Sequence, residues 1–287
     1  MGRRRDDSGV SGSVVIDKPT GMTSHDVVDV VRKELGTRKV GHAGTLDPDA
    51  TGVLVLGVGR GTKLLQFVTG TDKSYEGEVV FGTETSTLDA AGEVTATHEM
   101  SLAPDEVAAA AATFVGDIEQ VPPMVSAIKV DGKRLHELAR EGVEIEREAR
   151  PVRVDRFDVA ATDDPLVYRV EVDCSSGTYI RSLAADLGTA LGGGAHLRGL
   201  RRTRVGPFTL AQARPIDDLD LGPTADLLGH LPRLQVDDEV AAQVRNGRPL
   251  GPSGGSGRLA IADDAGEVLA VYEVRDGELR PVKVLAG

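Results

Sequence analysis

The residues most able to do chemistry lie in one short run, Gly41-His42-Ala43-Gly44-Thr45-Leu46-Asp47-Pro48-Asp49-Ala50-Thr51-Gly52. Its three glycines open backbone conformations closed to other residues, and Asp-Pro favours a tight turn. The loop can therefore aim the Asp47 carboxylate and the His42 imidazole into one cavity. The residue types leave two readings open for each: a reactive carboxylate or an ordinary turn residue at Asp47, a ligand-facing ring or a hydrogen-bonded loop histidine at His42. A second run, Gly57-Val58-Gly59-Arg60-Gly61-Thr62-Lys63, has the strand-glycine-helix order of a phosphate loop but not its spacing. A Walker loop needs Gly-Lys followed by Ser or Thr, and the dinucleotide fingerprint needs its third glycine where Thr62 stands. Lys63 is left as a phosphate contact or a solvated helix residue.

Other chemistries fail on residue type. A zinc deaminase needs His-x-Glu and Pro-Cys-x-x-Cys, and the chain has neither. A glycosidase needs two facing carboxylates, whereas Asp47 and Asp49 are two apart in a turn. The one cysteine, Cys174, excludes an internal disulfide framework and the Cys-rich zinc modules. No structural metal is expected.

At 287 residues, 40% hydrophobic and 27% charged, the chain has the balance of a folded protein that buries a sizeable core. No apolar run reaches the eighteen or so residues of a membrane helix, and residues 1–7 are too short and too charged for a signal peptide, so a cytoplasmic location is expected. The formal net charge is -12, which by itself argues against a polyanionic partner. The average hides a segregation. Residues 81–120 hold eight acids and no Lys or Arg, while residues 195–210 hold Arg198, Arg201, Arg202 and Arg204 and no acid. Arg32, Lys33, Arg38 and Lys39 flank the reactive loop, with Lys63 and Lys73 after it. Cations confined in this way fit a local groove for phosphates, or simply solvated faces.

The elements that must position these residues follow from pattern. Residues 13–17 read as a strand stopped at Lys18-Pro19. Thr23-Ser24-His25-Asp26 is a capping box, and Val27, Val28, Val31 and Leu35 continue at helical spacing until Gly36. Residues 40–52 read as loop, 53–58 as strand, 62–68 as a short helix, 75–81 as strand and 104–114 as an alanine-rich helix. Residues 167–173 alternate as a strand and lead into a helix over 179–191. Residues 216–239 carry seven acids and one Arg and read as an acidic, loop-like boundary. Short strands at 258–261, 268–274 and 281–284 then make a small β domain, and 251–257 reads as a glycine-rich loop. The class is α+β with a mainly antiparallel mixed sheet and flanking helices. The expected division is a leader over 1–12, a large domain over 13–230 and a small β domain over 235–287.

Seven ordered blocks carry a resemblance: Asp17-Lys18-Pro19-Thr20-Gly21-Met22-Thr23-Ser24, Lys73-Ser74-Tyr75-Glu76-Gly77, Pro122-Pro123-Met124-Val125-Ser126-Ala127-Ile128-Lys129, Gly132-Lys133-Arg134, Ala139-Arg140-Glu141-Gly142, Cys174-Ser175-Ser176-Gly177-Thr178-Tyr179-Ile180-Arg181, and Leu200-Arg201-Arg202-Thr203-Arg204-Val205-Gly206. With the loop over 41–52, they resemble the bacterial tRNA pseudouridine-55 synthases from about residue 13 to 210.

The resemblance implies that Asp47 is the essential aspartate, Tyr75 and Tyr179 are active-site tyrosines, and Arg181 pairs with the aspartate. It makes His42 the residue that fills the space of a flipped base. It also implies a PUA-like RNA-binding module in the small C-terminal β domain, a tRNA T arm as partner, and no cofactor, metal, membrane or obligate protein partner, with the chain acting as a monomer. Lys18, Lys63, Lys129, Arg134, Arg201, Arg202 and Arg204 are the expected RNA contacts, and Leu200 a candidate apolar wall. His136 departs from the family, which usually has tyrosine there. Two other classes remain to be weighed: an RNA-binding module without catalysis, and a nucleotide-binding protein using residues 57–63.

Overall fold

The computed structural model describes residues 9–126, 129–130, 133–134 and 145–285. His136, the block over 139–142 and the first eight residues of the leader lie outside them. The described chain forms two compact units: Met1–Asp47, Val53–Gly70 and Gly206–Gly287 make unit 1, and Pro48–Gly52 with Thr71–Val205 make unit 2.

Unit 1 opens with β1 (Gly12–Lys18) and α1 (Ser24–Glu34). The capping box works as its residues dictate: the Thr23 hydroxyl accepts from Asp26 N at 3.1 Å, and the Asp26 carboxylate accepts from Thr23 N at 2.8 Å. Gly36, at φ +61, ends the turn after the helix. β2 (Val40–His42) pairs antiparallel with β3 (Thr51–Val58), so the segment read as loop is a strand at its start and again at its end. Val14, Ile16, Val27, Val28, Val31, Leu54 and Leu56 close this core. A 3-10 turn (Gly59–Lys63) and α2 (Leu65–Thr69) take the place of one short helix.

The rest of unit 1 is C-terminal. It begins with β13 (Phe208–Thr209), and backbone bonds then tie Arg214 to Val15 and Gly222 to Ser13 alongside β1. Leu227 and Leu228 are fully buried in a 3-10 turn, so the stretch over 216–239 read as acidic and loop-like includes a packed segment, and it lies within unit 1. The final strands β14 (Arg233–Gln235), β15 (Leu250–Pro252), β16 (Gly257–Ala262), β17 (Val268–Arg275) and β18 (Glu278–Val284) pair in the order β14-β16-β17-β18-β15. With α5 (Asp238–Arg245) they bury their own core of Val236, Val244, Ile261, Leu269, Tyr272 and Leu279.

In unit 2, β4 (Lys73–Phe81) lies between β11 (Val167–Cys174) and β12 (Ala195–Val205), antiparallel to both. β10 (Arg150–Ala161) and β7 (Gly116–Gln120) extend the sheet beyond β11. α3 (Pro104–Ala112) and α4 (Ile180–Ala190) contribute to its core of Val79, Phe81, Val107, Phe157, Val170, Leu183 and Leu187. Among the described residues, unit 2 also has a hairpin, β5 (Thr83–Thr85) with β6 (Val94–Thr97), and a short ladder, β8 (Lys129–Val130) with β9 (Lys133–Arg134). Thr51 and Gly52 run parallel to Arg201 and Arg202. Gly52 is at φ +101, and a Cβ there would stand 2.2 Å from Arg202 O, so only glycine permits this approach. The mixed, mainly antiparallel arrangement is the α+β class expected.

Candidate active site

In unit 1 the reactive loop is tied at both ends. His42 stands opposite Leu56, and Ala43 N donates to Val55 O at 2.9 Å. At the other end Leu46 N donates to the Ser24 hydroxyl at 2.8 Å, and that hydroxyl donates to Leu46 O at 3.1 Å. Gly44, at φ +108, takes the left-handed turn between these anchors. His42 is half-buried and meets the exposed His25 ring edge-on, with centroids 5.5 Å apart. Asp47, also half-buried, is the last residue of unit 1 before the chain crosses at Pro48.

Unit 2 holds Tyr75, Tyr179 and Arg181. Tyr75, 9% exposed, belongs to the buried core of unit 2, which also contains Ile180 and against which Leu200 packs. Tyr179 is the N-cap of α4, and both of its backbone groups are held by the buried Gln120 side chain: Gln120 Oε1 accepts from Tyr179 N at 2.8 Å, and Gln120 Nε2 donates to Tyr179 O at 3.1 Å. Arg181 is 4% exposed. Its guanidinium donates to Thr87 O at 2.9 Å and Val125 O at 2.8 Å and stands 3.4 Å from the Asp89 carboxylate. Asp89 is itself fixed, since its other oxygen accepts from the Thr87 hydroxyl at 2.5 Å and Ala91 N at 3.2 Å. Between them Leu88 takes φ +62, a conformation costly for a side-chain-bearing residue, and it is this turn that brings Thr87 O and Asp89 to one guanidinium.

Known proteins share this architecture and far more sequence than a fold alone requires. Residues 32–180 match the model of the TruB family pseudouridylate synthase N-terminal domain. Residues 181–222 match the tRNA pseudouridylate synthase B C-terminal domain, and residues 231–286 the C-terminal region of tRNA pseudouridine synthase II. The tRNA pseudouridine synthase B of Mycobacteroides abscessus is 51% identical over 96% of both chains. That of Mycobacterium ulcerans is 50% identical over 96% of this chain and 94% of its own. The chain belongs to the TruB family. A chain of a solved Cbf5-Nop10-Gar1 complex matches the fold with a TM-score of 0.74 at 26% identity, covering 96% of this chain and 84% of that one.

The TruB cations separate by burial. Lys63 is exposed, and Arg201 and Arg204 are partly so. Arg201 donates to the Thr51 hydroxyl at 3.3 Å and Arg204 to the Ser74 hydroxyl at 2.9 Å. Lys129 and Arg134 are backbone register partners in the β8-β9 ladder. Lys18 differs from the expectation of an RNA contact: it is fully buried, and its ammonium donates to Pro19 O at 2.9 Å and Met22 O at 2.6 Å, so it braces the turn into α1. Arg202, 1% exposed, is likewise an interior cation.

Asp89 and Gln120 carry no signal in the sequence, because a partly buried acid inside an acid-rich segment looks like any solvated one and an isolated glutamine is silent. Lys73, one of the cations the sequence sets after the loop, is an interior residue. It is 7% exposed, stands opposite Cys174 and donates to Thr71 O at 2.7 Å. Burial, helped by the Arg202 guanidinium, holds its ammonium down from 10.5 to about 8, while burial pushes the Cys174 thiol up from 9.0 to about 11.

Folded Lys73 thus loses its proton while the unfolded chain still keeps it. Its burden on stability is full below about 8 and is relieved as pH rises towards 10.5. Cys174 acts in the opposite sense, removing stability between about 9 and 11. Lys73→Met is therefore expected to abolish a rise in urea midpoint that the parent shows between about pH 8 and 9, where the thiol contributes least. Parallel pH profiles for the two proteins would contradict the buried-ammonium account.

Proposed function

We propose that this TruB-family enzyme everts the uridine at position 55 of the tRNA T loop and isomerises it to pseudouridine, with Asp47, Tyr75, Tyr179 and Arg181 as the reacting set. What carries this reading is the near-full-length match to enzymes named tRNA pseudouridine synthase B, in a chain whose aspartate loop is anchored at both ends. The bond from N1 to the sugar breaks, the uracil turns, a bond forms from C5 to the same sugar carbon, the C5 hydrogen leaves as a proton and N1 gains one. No electrons and no phosphoryl group are transferred, so the balance asks for no cofactor.

A base stacked in the T arm is first taken out of its stack, at a cost of a few kcal/mol. His42 fills the space it leaves. Tyr75 lies against the everted uracil, a contact worth roughly 1–3 kcal/mol per base, and Tyr179 assists proton removal with its phenol. Asp47 acts as an ionised carboxylate, whether on the sugar, on the ring or on a sugar proton, and Arg181 favours that charged form. Leu200 and Ile180, both packed on the core that holds Tyr75, supply the apolar wall that keeps water from the detached uracil. Lys63, Lys129, Arg134, Arg201 and Arg204 serve the RNA backbone, an electrostatic contribution that salt weakens. The enzyme works as a monomer in the cytoplasm, without an obligate protein partner.

Purified protein should release the C5 hydrogen from a labelled T-arm stem-loop and leave a stem-loop lacking the target uridine untouched. Binding without release would favour the non-catalytic RNA module, and affinity for nucleoside triphosphates without tRNA would favour the nucleotide-binding reading.

The residues over 235–287 are proposed as an accessory RNA-binding module. Their sheet has its own apolar core, and Arg60 meets Glu267 at 3.2 Å while the Arg258 guanidinium lies 5.7 Å from the Phe67 ring, both within unit 1. Truncation near Gln235 or Val236 is expected to leave measurable activity on a short stem-loop, because the reacting set precedes the cut. Complete loss of hydrogen release from a truncated protein that still folds would contradict this division.

A further inference from the structure

The Thr23-Ser24-His25-Asp26 turn does two jobs at once. Thr23 and Asp26 hydrogen-bond each other and start α1, as their sequence pattern requires. The two residues between them are not needed for that cap, and both reach the loop over 41–47. Ser24 is 1% exposed and Leu46 is 4% exposed. One hydroxyl accepts from Leu46 N and donates to Leu46 O, so a single side chain satisfies both backbone groups of the residue before Asp47. Without it, two buried polar groups lose this partner at the point where the loop must deliver a carboxylate. His25 presents its ring to His42 at an interplanar angle of 83°, the edge-to-face geometry that aromatic pairs favour.

We infer that the first turn of α1 is a splint for the reactive loop, in which Ser24 and His25 are positioning residues for Asp47 and His42. The inference rests on the assignment of Asp47 and His42 proposed above. Ser24 fixes the backbone one peptide bond upstream of the carboxylate. His25 restricts the ring that occupies the space left by the base. Neither touches RNA in this scheme, so each acts on the rate of the chemical or flipping step and not on the affinity for RNA.

The test is single-turnover release of C5 hydrogen from a T-arm stem-loop, with the dissociation constant for the same RNA and the thermal midpoint measured alongside. A misplacement of about 1 Å costs on the order of 100-fold in rate, so Ser24→Ala is expected to slow release by at least about tenfold while the dissociation constant moves by no more than about threefold. Ser24→Thr, which restores the hydroxyl, should recover most of the loss. His25→Ala should slow release by about fivefold, on the scale of one lost ring contact, and His25→Phe should restore it. Parent-like rates in both alanine variants would overturn the splint, as would rates and affinities that fall together with the thermal midpoint. Asp47→Asn separates the two levels of the argument. If it is inactive while Ser24→Ala is unaffected, only the splint fails; if it turns over fully, the assignment of the site fails and the splint falls with it.

Discussion

Asp47→Asn is expected to end release of the C5 hydrogen from a T-arm stem-loop while leaving RNA affinity within about tenfold of the parent, or about 1.4 kcal/mol. The substitution keeps the size of the side chain and removes only its capacity to ionise. The Ser24 clasp on Leu46, the pairing of His42 with Leu56 and the bond from Ala43 to Val55 are made by other residues and survive the change. The RNA contacts proposed for cations elsewhere should also survive. Each chemical route open to Asp47 needs a charged oxygen, so the loss should fall on the rate of a single turnover. Full turnover by the variant would refute the catalytic assignment.

Arg181→Ala should be the most damaging change in unit 2. The guanidinium is 4% exposed and serves Thr87 O, Val125 O and the Asp89 carboxylate together. Deleting it takes a donor from two carbonyls and leaves a partly buried carboxylate without this cation, at a cost of about 3 kcal/mol. Urea unfolding should show a lower midpoint, and hydrogen release should fall by more than 100-fold, a fall equivalent to about 2.7 kcal/mol in the barrier. Arg181→Lys should recover part of the stability and little of the activity, because an ammonium on a flexible stem does not reproduce a planar fork reaching two carbonyls. Parent-like stability in Arg181→Ala would mean that the Asp89 and carbonyl contacts contribute nothing to the fold.

The parts of the fold legible in the sequence were those where local chemistry and tertiary environment agree. The capping box places the start of α1 within one residue of its observed start, and alternation finds β11 because one face is buried in the unit 2 core. The C-terminal strands were legible for the same reason. β12 was not. Its Arg-rich sequence reads as a cationic run, and register shifts at Arg198/Arg201 and Arg202/Arg204, with Gly199 at φ +62, break the alternation that would have marked a strand. β10 hides its pattern behind a similar shift between Val154 and Arg156.

At the site, residue types marked Asp47, His42 and the cations as candidates but could not say which cations face outward. Lys18 and Arg202 prove to be interior, and Lys18 donates to two carbonyls of its own turn. That distinction depends on where the chain leaves acceptors to be satisfied, which only the folded backbone decides. The same holds for Ser24. Its type and position speak for a helix start, and its bonds to Leu46 come from residues 22 positions away.

The most direct measurement of the central claim is a crystal structure of the enzyme with a T-arm stem-loop bound. The account predicts the target nucleoside everted, its ring against Tyr75, and an Asp47 carboxylate oxygen turned to that nucleoside with Arg181 beside it. A carboxylate turned to bulk water, with the everted nucleoside lodged elsewhere, would contradict it.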